Sequence, residues 1–162
     1  GQITALRALR HLAEGTLVVV GRGPDQERLE AAAAELGLTN RLRLIGMVEH
    51  QRMPALYAAA DVLVLPSTGE GLANVWVESL ACGVPVVTTD VAGAREAIDR
   101  PASGRVVAND PAAIADGVRE MLRLAPDPAE VARSAERFSW EKNASELRDH
   151  LAHVIAGGAR GR

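Results

Sequence analysis

Two carboxylates and the residues between them carry the clearest chemical signal. Glu70 and Glu78 bracket the stretch Glu70-Gly71-Leu72-Ala73-Asn74-Val75-Trp76-Val77-Glu78. It follows the apolar run Val62-Leu63-Val64-Leu65 and the turn residues Pro66 to Gly69, and then opens into a helical pattern. Glu70 is therefore expected at a loop tip and Glu78 about two turns along a helix. Backbone N–H groups of Gly71 through Asn74 would sit at that helix's amino end, where the helix dipole adds partial positive charge. Such a terminus suits a diphosphate, and Gly71 would let the ligand come close. A carboxylate at either end can accept hydrogen bonds from paired hydroxyls, which fits a sugar at one end and a ribose at the other. The residue types alone also allow Glu70 as an acid favoured by the dipole and Glu78 as part of a solvated face.

Other chemistries lack their residues. The loop Gly21-Arg22-Gly23-Pro24 begins like a dinucleotide fingerprint, but Gln26 stands where the third glycine belongs and Pro24 occupies the turn, so a tight turn is expected there and NAD is not. Asp-x-Asp pairs and His/Cys/Asp clusters at ligand spacing are missing, so no metal is expected. His150 and His153 fit a polar stripe on a late helix, and His50 suits a turn as well as a ligand contact. No nucleophile elbow supports a Ser/His/Asp hydrolase. Trp76 and Trp140 each fall in a helical pattern and are expected to be packing anchors. With 18 basic against 21 acidic residues and no dense basic face, nucleic acid is not an expected partner. The lone Cys82 excludes an internal disulfide, is expected in the core and suits a reducing cytoplasm.

The elements that would position the two carboxylates follow from periodicity. Thr16-Leu17-Val18-Val19-Val20 reads as a strand buried on both faces of a parallel sheet. Further strands are expected at 41–45, 62–65, 84–87 and 105–107, with helices between them, and a helix from Asp110 shares a face through Ile114, Val118, Met121 and Leu122. Strand and helix alternate with short connections, so the expected fold is α/β: a doubly wound, Rossmann-like parallel sheet with helices on both faces. In such sheets the loops after the strands hold the ligand. The opening Gly1-Gln2-Ile3 lacks an initiator methionine and enters a helical pattern at once, which suggests a piece of a longer protein.

Taken in order, these segments resemble glycosyltransferase family 4. The resemblance rests on Gly46-Met47-Val48-Glu49-His50, Leu56-Tyr57, Ala58-Ala59-Ala60-Asp61-Val62-Leu63-Val64-Leu65-Pro66-Ser67, Glu70-Gly71 and Glu78-Ser79-Leu80-Ala81-Cys82-Gly83-Val84-Pro85. It continues through Ala92-Gly93-Ala94-Arg95-Glu96 and Phe138-Ser139-Trp140-Glu141, so it covers nearly the whole chain. It implies the C-terminal half of a GT-B fold, with residues 1–162 a nucleotide-sugar-binding domain and 139–157 its closing helix. An N-terminal acceptor domain would lie outside the chain. The implied activity is that of a retaining transferase acting without metal or resident cofactor, with a nucleoside diphosphate sugar as donor. By resemblance Glu70 is the catalytic-site residue that holds hydroxyls of the transferred sugar, Gly71, Leu72, Ala73 and Asn74 offer main-chain N–H groups, and Glu78 holds the ribose. Met47 and Val48 would flank the base.

Departures from the family pattern also carry weight. Gly71-Leu72-Ala73-Asn74 stands where many members have Gly-Phe-Gly after the first glutamate, so Asn74 is a candidate for sugar contact. The family's basic pair, which neutralises the leaving diphosphate, is expected ahead of Gly1, and Arg22 is a poor replacement on another loop. The implied acceptor is a glycan, a lipid-linked glycan or a small molecule, and peripheral membrane association of the whole protein is compatible with that. A non-catalytic nucleotide- or protein-binding α/β module, and related GT-B enzymes such as a sugar-nucleotide epimerase or disaccharide phosphorylase, are the alternatives.

Overall fold

The structure is a computed structural model that describes residues 1–158. Strands and helices alternate along most of it. Helix α1 (Gln2–Leu9) leads to β1 (Leu17–Val20), α2 (Gln26–Glu35), β2 (Leu42–Gly46) and α3 (Met53–Ala58). These are followed by β3 (Leu63–Leu65), α4 (Asn74–Ala81), β4 (Val86–Thr89), α5 (Ala94–Ala97) and β5 (Gly104–Val107). Helices α6 (Pro111–Leu124), α7 (Pro128–Ala132) and α8 (Trp140–Gly158) complete the described residues.

Every strand pairing is parallel. β1 pairs with β2, and β3-β4-β5 form a second sheet with Val87 opposite Val64 and Arg105. The three-stranded sheet is covered on both faces, because side chains alternate along a pleated strand. Leu63, Leu65, Val86 and Val106 pack with Trp76, Leu80, Ala94 and Val131 of the helices on one side. Val62, Val64, Val87 and Val107 pack with Ala8 of α1 and with Ile114, Val118 and Met121 of α6 on the other. Trp76 is fully buried and anchors the first of these cores; truncating such a side chain costs about 3–5 kcal/mol.

β1 departs from the expected double burial. Leu17 and Val19 pack with Leu6, Leu9 and Leu29 of α1 and α2, while Val18 and Val20 are 50% and 39% exposed. Among the described residues, helices α1 and α2 cover one face of the β1–β2 sheet, while the other opens onto a groove of about 570 Å3 that runs between β1 and β3 and is walled by α3. An apolar run of five residues cannot tell one covered face from two, because the strand itself is the same in both cases. Leu122 is likewise half exposed instead of sharing the buried face of α6. At 100° per residue it falls about 80° from Ile114, at the edge of the stripe, and it lines the same groove.

Helix ends follow local chemistry. Asp110 accepts hydrogen bonds from the N–H groups of Ala112 and Ala113 at 3.0 Å, and Pro111 opens α6 with a preset φ. Asp127 and Pro128 repeat the device for α7. The expected packing role of Trp140 is overturned: it is 85% exposed at the start of α8, and Leu147, Leu151, Val154 and Ile155 of that helix are exposed with it. Helical periodicity identified the helix, but nothing among the described residues covers its apolar side chains.

Gly104 permits the closest approach of β5 to β4. Its φ is +149°, and a Cβ there would sit 1.9 Å from the Val86 carbonyl oxygen. Gly104→Ala is expected to destabilise the chain by about 3 kcal/mol or more, since neither the backbone angle nor the β4 main chain can yield. A denaturant melt showing a loss under about 1 kcal/mol would contradict this packing.

Candidate donor site

The carboxyl ends of β1 and β3 lie on one edge of the molecule, because both meet the amino end of α1. Gly1 packs against the Pro66 carbonyl just beyond β3, and Gly1 through Thr4 share a cavity of about 400 Å3 with Val20 to Asp25 just beyond β1. This is the edge where open α/β sheets bind ligands.

The loop after β3 is fixed from behind by β4. Thr88 donates its hydroxyl to the Leu65 carbonyl at 2.7 Å, and Thr89 accepts from the Ser67 N–H at 2.9 Å while donating to the Ser67 carbonyl. Both threonines are buried, so these bonds are shielded from competing water. A second brace comes from the loop after β4. Gly93 has φ +76°, and a Cβ on it would fall 2.5 Å from the Gly71 carbonyl oxygen and 2.9 Å from the Leu72 nitrogen. Glycine there allows one loop to lie directly on the other.

Helix α4 begins at Asn74, with Ala73 as its N-cap residue and no side-chain cap. Gly71 and Leu72 thus belong to the preceding bend, and Glu78 lies little more than one turn into the helix instead of two. None of the main-chain N–H groups of Gly71, Leu72, Ala73, Asn74 and Val75 has a hydrogen-bond partner among the described residues, and the first paired one is Trp76, on the Ala73 carbonyl at 3.0 Å. Glu70, Gly71, Leu72 and Asn74 are exposed. A run of unpaired donors on the solvent side of a helix amino end can take up an anion.

Each carboxylate is engaged by a neighbouring hydroxyl. Ser67 Oγ donates to Glu70 Oε1 at 3.1 Å, across the loop tip. Tyr57 Oη, reaching from the last turn of α3, donates to Glu78 Oε2 at 2.9 Å. The tyrosine is only 7% exposed, and burial first, then the bond to Glu78 and its charge, push the phenol well above its ordinary value. Cys82, expected in the core, is instead half-buried as the C-cap of α4. Burial and the Glu78 charge raise its thiol as well.

The residues expected near the base lie on the loops that follow the neighbouring β1–β2 sheet. Met47 and Val48 follow β2; Met47 is 73% exposed and Val48 half-buried. His50 opens a short 3-10 turn and is exposed, as are His150 and His153 on α8. The Gly21 N–H donates to the Gly46 carbonyl at 2.8 Å, which joins the loops after β1 and β2. Arg22 reaches across this junction, its Nε 3.6 Å from where a Gly46 Cβ would lie. The sequence of Gly21 to Pro24 predicts a tight turn; in the fold these residues also wall the cavity beside α1. Glu70 and Glu78 line neither that cavity nor the groove between the sheets. Among the described residues no three His, Cys, Asp or Glu side chains gather as a metal cluster, and no helix is long and apolar enough to cross a membrane.

The parallel α/β fold, with its loop machinery at the strand ends, superposes on solved GT-B glycosyltransferases and corresponds to their C-terminal domain. The family described as glycosyl transferases group 1 matches residues 1–124, and the chain belongs to it. Among curated relatives, D-inositol 3-phosphate glycosyltransferase of Salinispora tropica is 38% identical over 95% of this chain and 35% of its own length. The 2-deoxystreptamine glucosyltransferase of Streptomyces kanamyceticus is 35% identical over 94% of this chain and 40% of its own. The GDP-mannose-dependent alpha-(1-6)-phosphatidylinositol monomannoside mannosyltransferase of Mycobacterium tuberculosis is 33% identical over 92% and 42%. The chain thus spans about two fifths or less of the length of the first two. Among solved structures, sucrose-phosphate synthase from Thermosynechococcus elongatus superposes with a TM-score of 0.81 at 26% identity, over 97% of this chain and 43% of that one.

Tyr57 is the sole tyrosine of the chain, so tyrosinate absorbance reads it alone. Its folded phenol lies above the unfolded value of about 10, so its contribution to stability is complete below about pH 10 and is lost as pH rises further. Alkaline titration of the folded chain is expected to show ionisation delayed relative to the denatured chain. Glu78→Gln should bring it down, because the charge and the acceptor both weaken. Coincident folded and denatured titrations would place the phenol in solvent.

Proposed function

We propose that this chain is the donor-binding domain of a retaining glycosyltransferase that moves a sugar from a nucleoside diphosphate sugar to a glycan, lipid-linked or small-molecule acceptor. The observation that carries it is the β3–α4 loop of a group 1 glycosyltransferase, where unpaired main-chain N–H groups from Gly71 to Val75 lie between Glu70 and Glu78. These donors would meet the negative charge that builds on the departing diphosphate, which is where preorganised dipoles act most strongly. Glu70 would orient the transferred sugar through its hydroxyls, and Glu78 would hold the ribose. Asn74, exposed at the first turn of α4, would offer its amide to the sugar. Met47 and Val48 would flank the base at the end of β2, with Arg22 beside them.

The chemistry proposed needs no metal and no resident cofactor, because main-chain donors and cations take the phosphate charge. The cations proposed for this are a basic pair ahead of Gly1, and the acceptor site is proposed for a separate N-terminal domain of the whole protein. The named relatives act on different acceptors, an inositol phosphate, an aminocyclitol and a phosphatidylinositol mannoside. This spread of acceptors among relatives that share this domain supports the proposal that acceptor choice lies with residues beyond it. A cytoplasmic setting, with the whole protein peripheral at a membrane where its acceptor is lipid-linked, completes the proposal.

Calorimetric titration with UDP, GDP, ADP and their sugar conjugates, with and without magnesium, tests this directly. Selective binding of one nucleotide, unchanged by magnesium, is expected; binding of none by the whole protein would favour a non-catalytic module. Glu78→Ala should weaken nucleotide binding by about 1.5–3 kcal/mol, the range for a hydrogen bond to a charged group. Glu70→Ala should leave free nucleotide affinity unchanged while abolishing transfer by the whole protein. Normal turnover in that variant would remove Glu70 from the site.

A further inference from the structure

Glu78 is a long, flexible side chain with no cationic partner among the described residues. A free glutamate at a half-exposed helix position samples several rotamers, and each ligand hydroxyl it catches must first overcome that freedom. Among the described residues, one side chain hydrogen-bonds it. Tyr57 comes from α3, twenty-one positions earlier in sequence, and its hydroxyl donates to Oε2 at 2.9 Å. The phenol is anchored on its own side: α3 starts with Pro54 in its first turn, Tyr57 is buried, and α3 packs along α4. A buried phenol requires an acceptor, and Glu78 is the one it has.

The consequence for Glu78 is specific. Oε2 is fixed by one bond yet keeps a second lone pair, and Oε1 has no partner among the described residues, so both oxygens can still accept. A neutral hydroxyl orients the carboxylate without cancelling its charge, as a lysine or arginine would. The full acceptor strength is kept for a ligand's hydroxyls.

We propose that Tyr57 is the positioning residue of the donor site, aligning the Glu78 carboxylate for the vicinal 2′- and 3′-hydroxyls of the nucleotide ribose. The proposal rests on the donor-binding reading above. It makes ribose recognition a property of two helices, since α3 sets the angle at which α4 presents its glutamate.

The experiment compares nucleoside diphosphates with their 2′,3′-dideoxy counterparts in the whole protein, starting from whichever of UDP, GDP or ADP binds most tightly. Wild type is expected to prefer the ribonucleotide by about tenfold or more. Tyr57→Phe keeps the ring and is expected to cut that preference by about fivefold, with dideoxynucleotide affinity unchanged. Equal weakening of both ligands, or an unchanged preference, would overturn the proposal, because a merely structural tyrosine would not distinguish them. If Tyr57→Phe does not melt cooperatively, 4-aminophenylalanine at position 57 restores a para donor, and wild-type preference is expected; loss of preference in that folded variant would also overturn it. Wild type that binds a nucleotide without ribose preference removes the roles of Glu78 and Tyr57 while leaving donor binding intact. Wild type that binds none of the three removes both.

Discussion

The site depends on the way β4 holds the loop that follows β3. Thr88 and Thr89 continue the sheet's pairing into side-chain bonds with the Leu65 and Ser67 main chain, so Pro66 and Ser67 are fixed before the chain turns outward. Gly93 then brings the next loop against Gly71 and Leu72 from the other direction. The result is a segment whose main-chain donors stay unpaired because the backbone is held by neighbours on other elements. Left free, Gly69 and Gly71 would make this stretch one of the most pliable in the molecule. Preorganisation of this kind is what allows fixed dipoles to act on charge without reorganising.

A division of labour follows. The three-stranded sheet, covered on both faces, carries the β3–α4 segment with Glu70 on its loop and Glu78 on its helix, while the loops after the β1–β2 strands, whose sheet is covered on one face, carry Arg22, Met47 and Val48. A ligand spanning both would touch the fixed loop at its phosphate end and the more exposed loops at its base end. Recognition of phosphate and ribose would then be rigid, and recognition of the base would lie with exposed side chains and backbone.

Tyr57 and Ser67 extend this logic to the carboxylates themselves. Each glutamate has one oxygen held by a neutral hydroxyl, and neither is paired with a cation among the described residues. A charged partner would stabilise the carboxylate but also satisfy it, and it would then compete with ligand hydroxyls.

Much of the fold was written into local sequence. Alternation of β-branched runs with helical periods located all five strands to within about two residues, and the helical period from Asp110 located α6, while the caps that Asp110 and Asp127 supply to α6 and α7 appear in the structure. The order of Glu70, the glycine after it and Glu78 was likewise legible, since a loop tip and a following helix fix their separation along the chain. What periodicity could not supply was the partner of each apolar face. Val18 and Val20 looked like core and face a groove, Leu122 lies at that groove's edge, and Trp140 stands in solvent at the head of α8. The same blindness hid Tyr57 and Gly93, whose significance lies in atoms far along the chain: a carboxylate on another helix, and a carbonyl on another loop. Sequence determined which segments form strands and helices, because backbone propensity and side-chain period are local. Tertiary structure alone decided which faces are covered and which hydroxyl meets which glutamate, because both depend on packing between segments that no local pattern encodes.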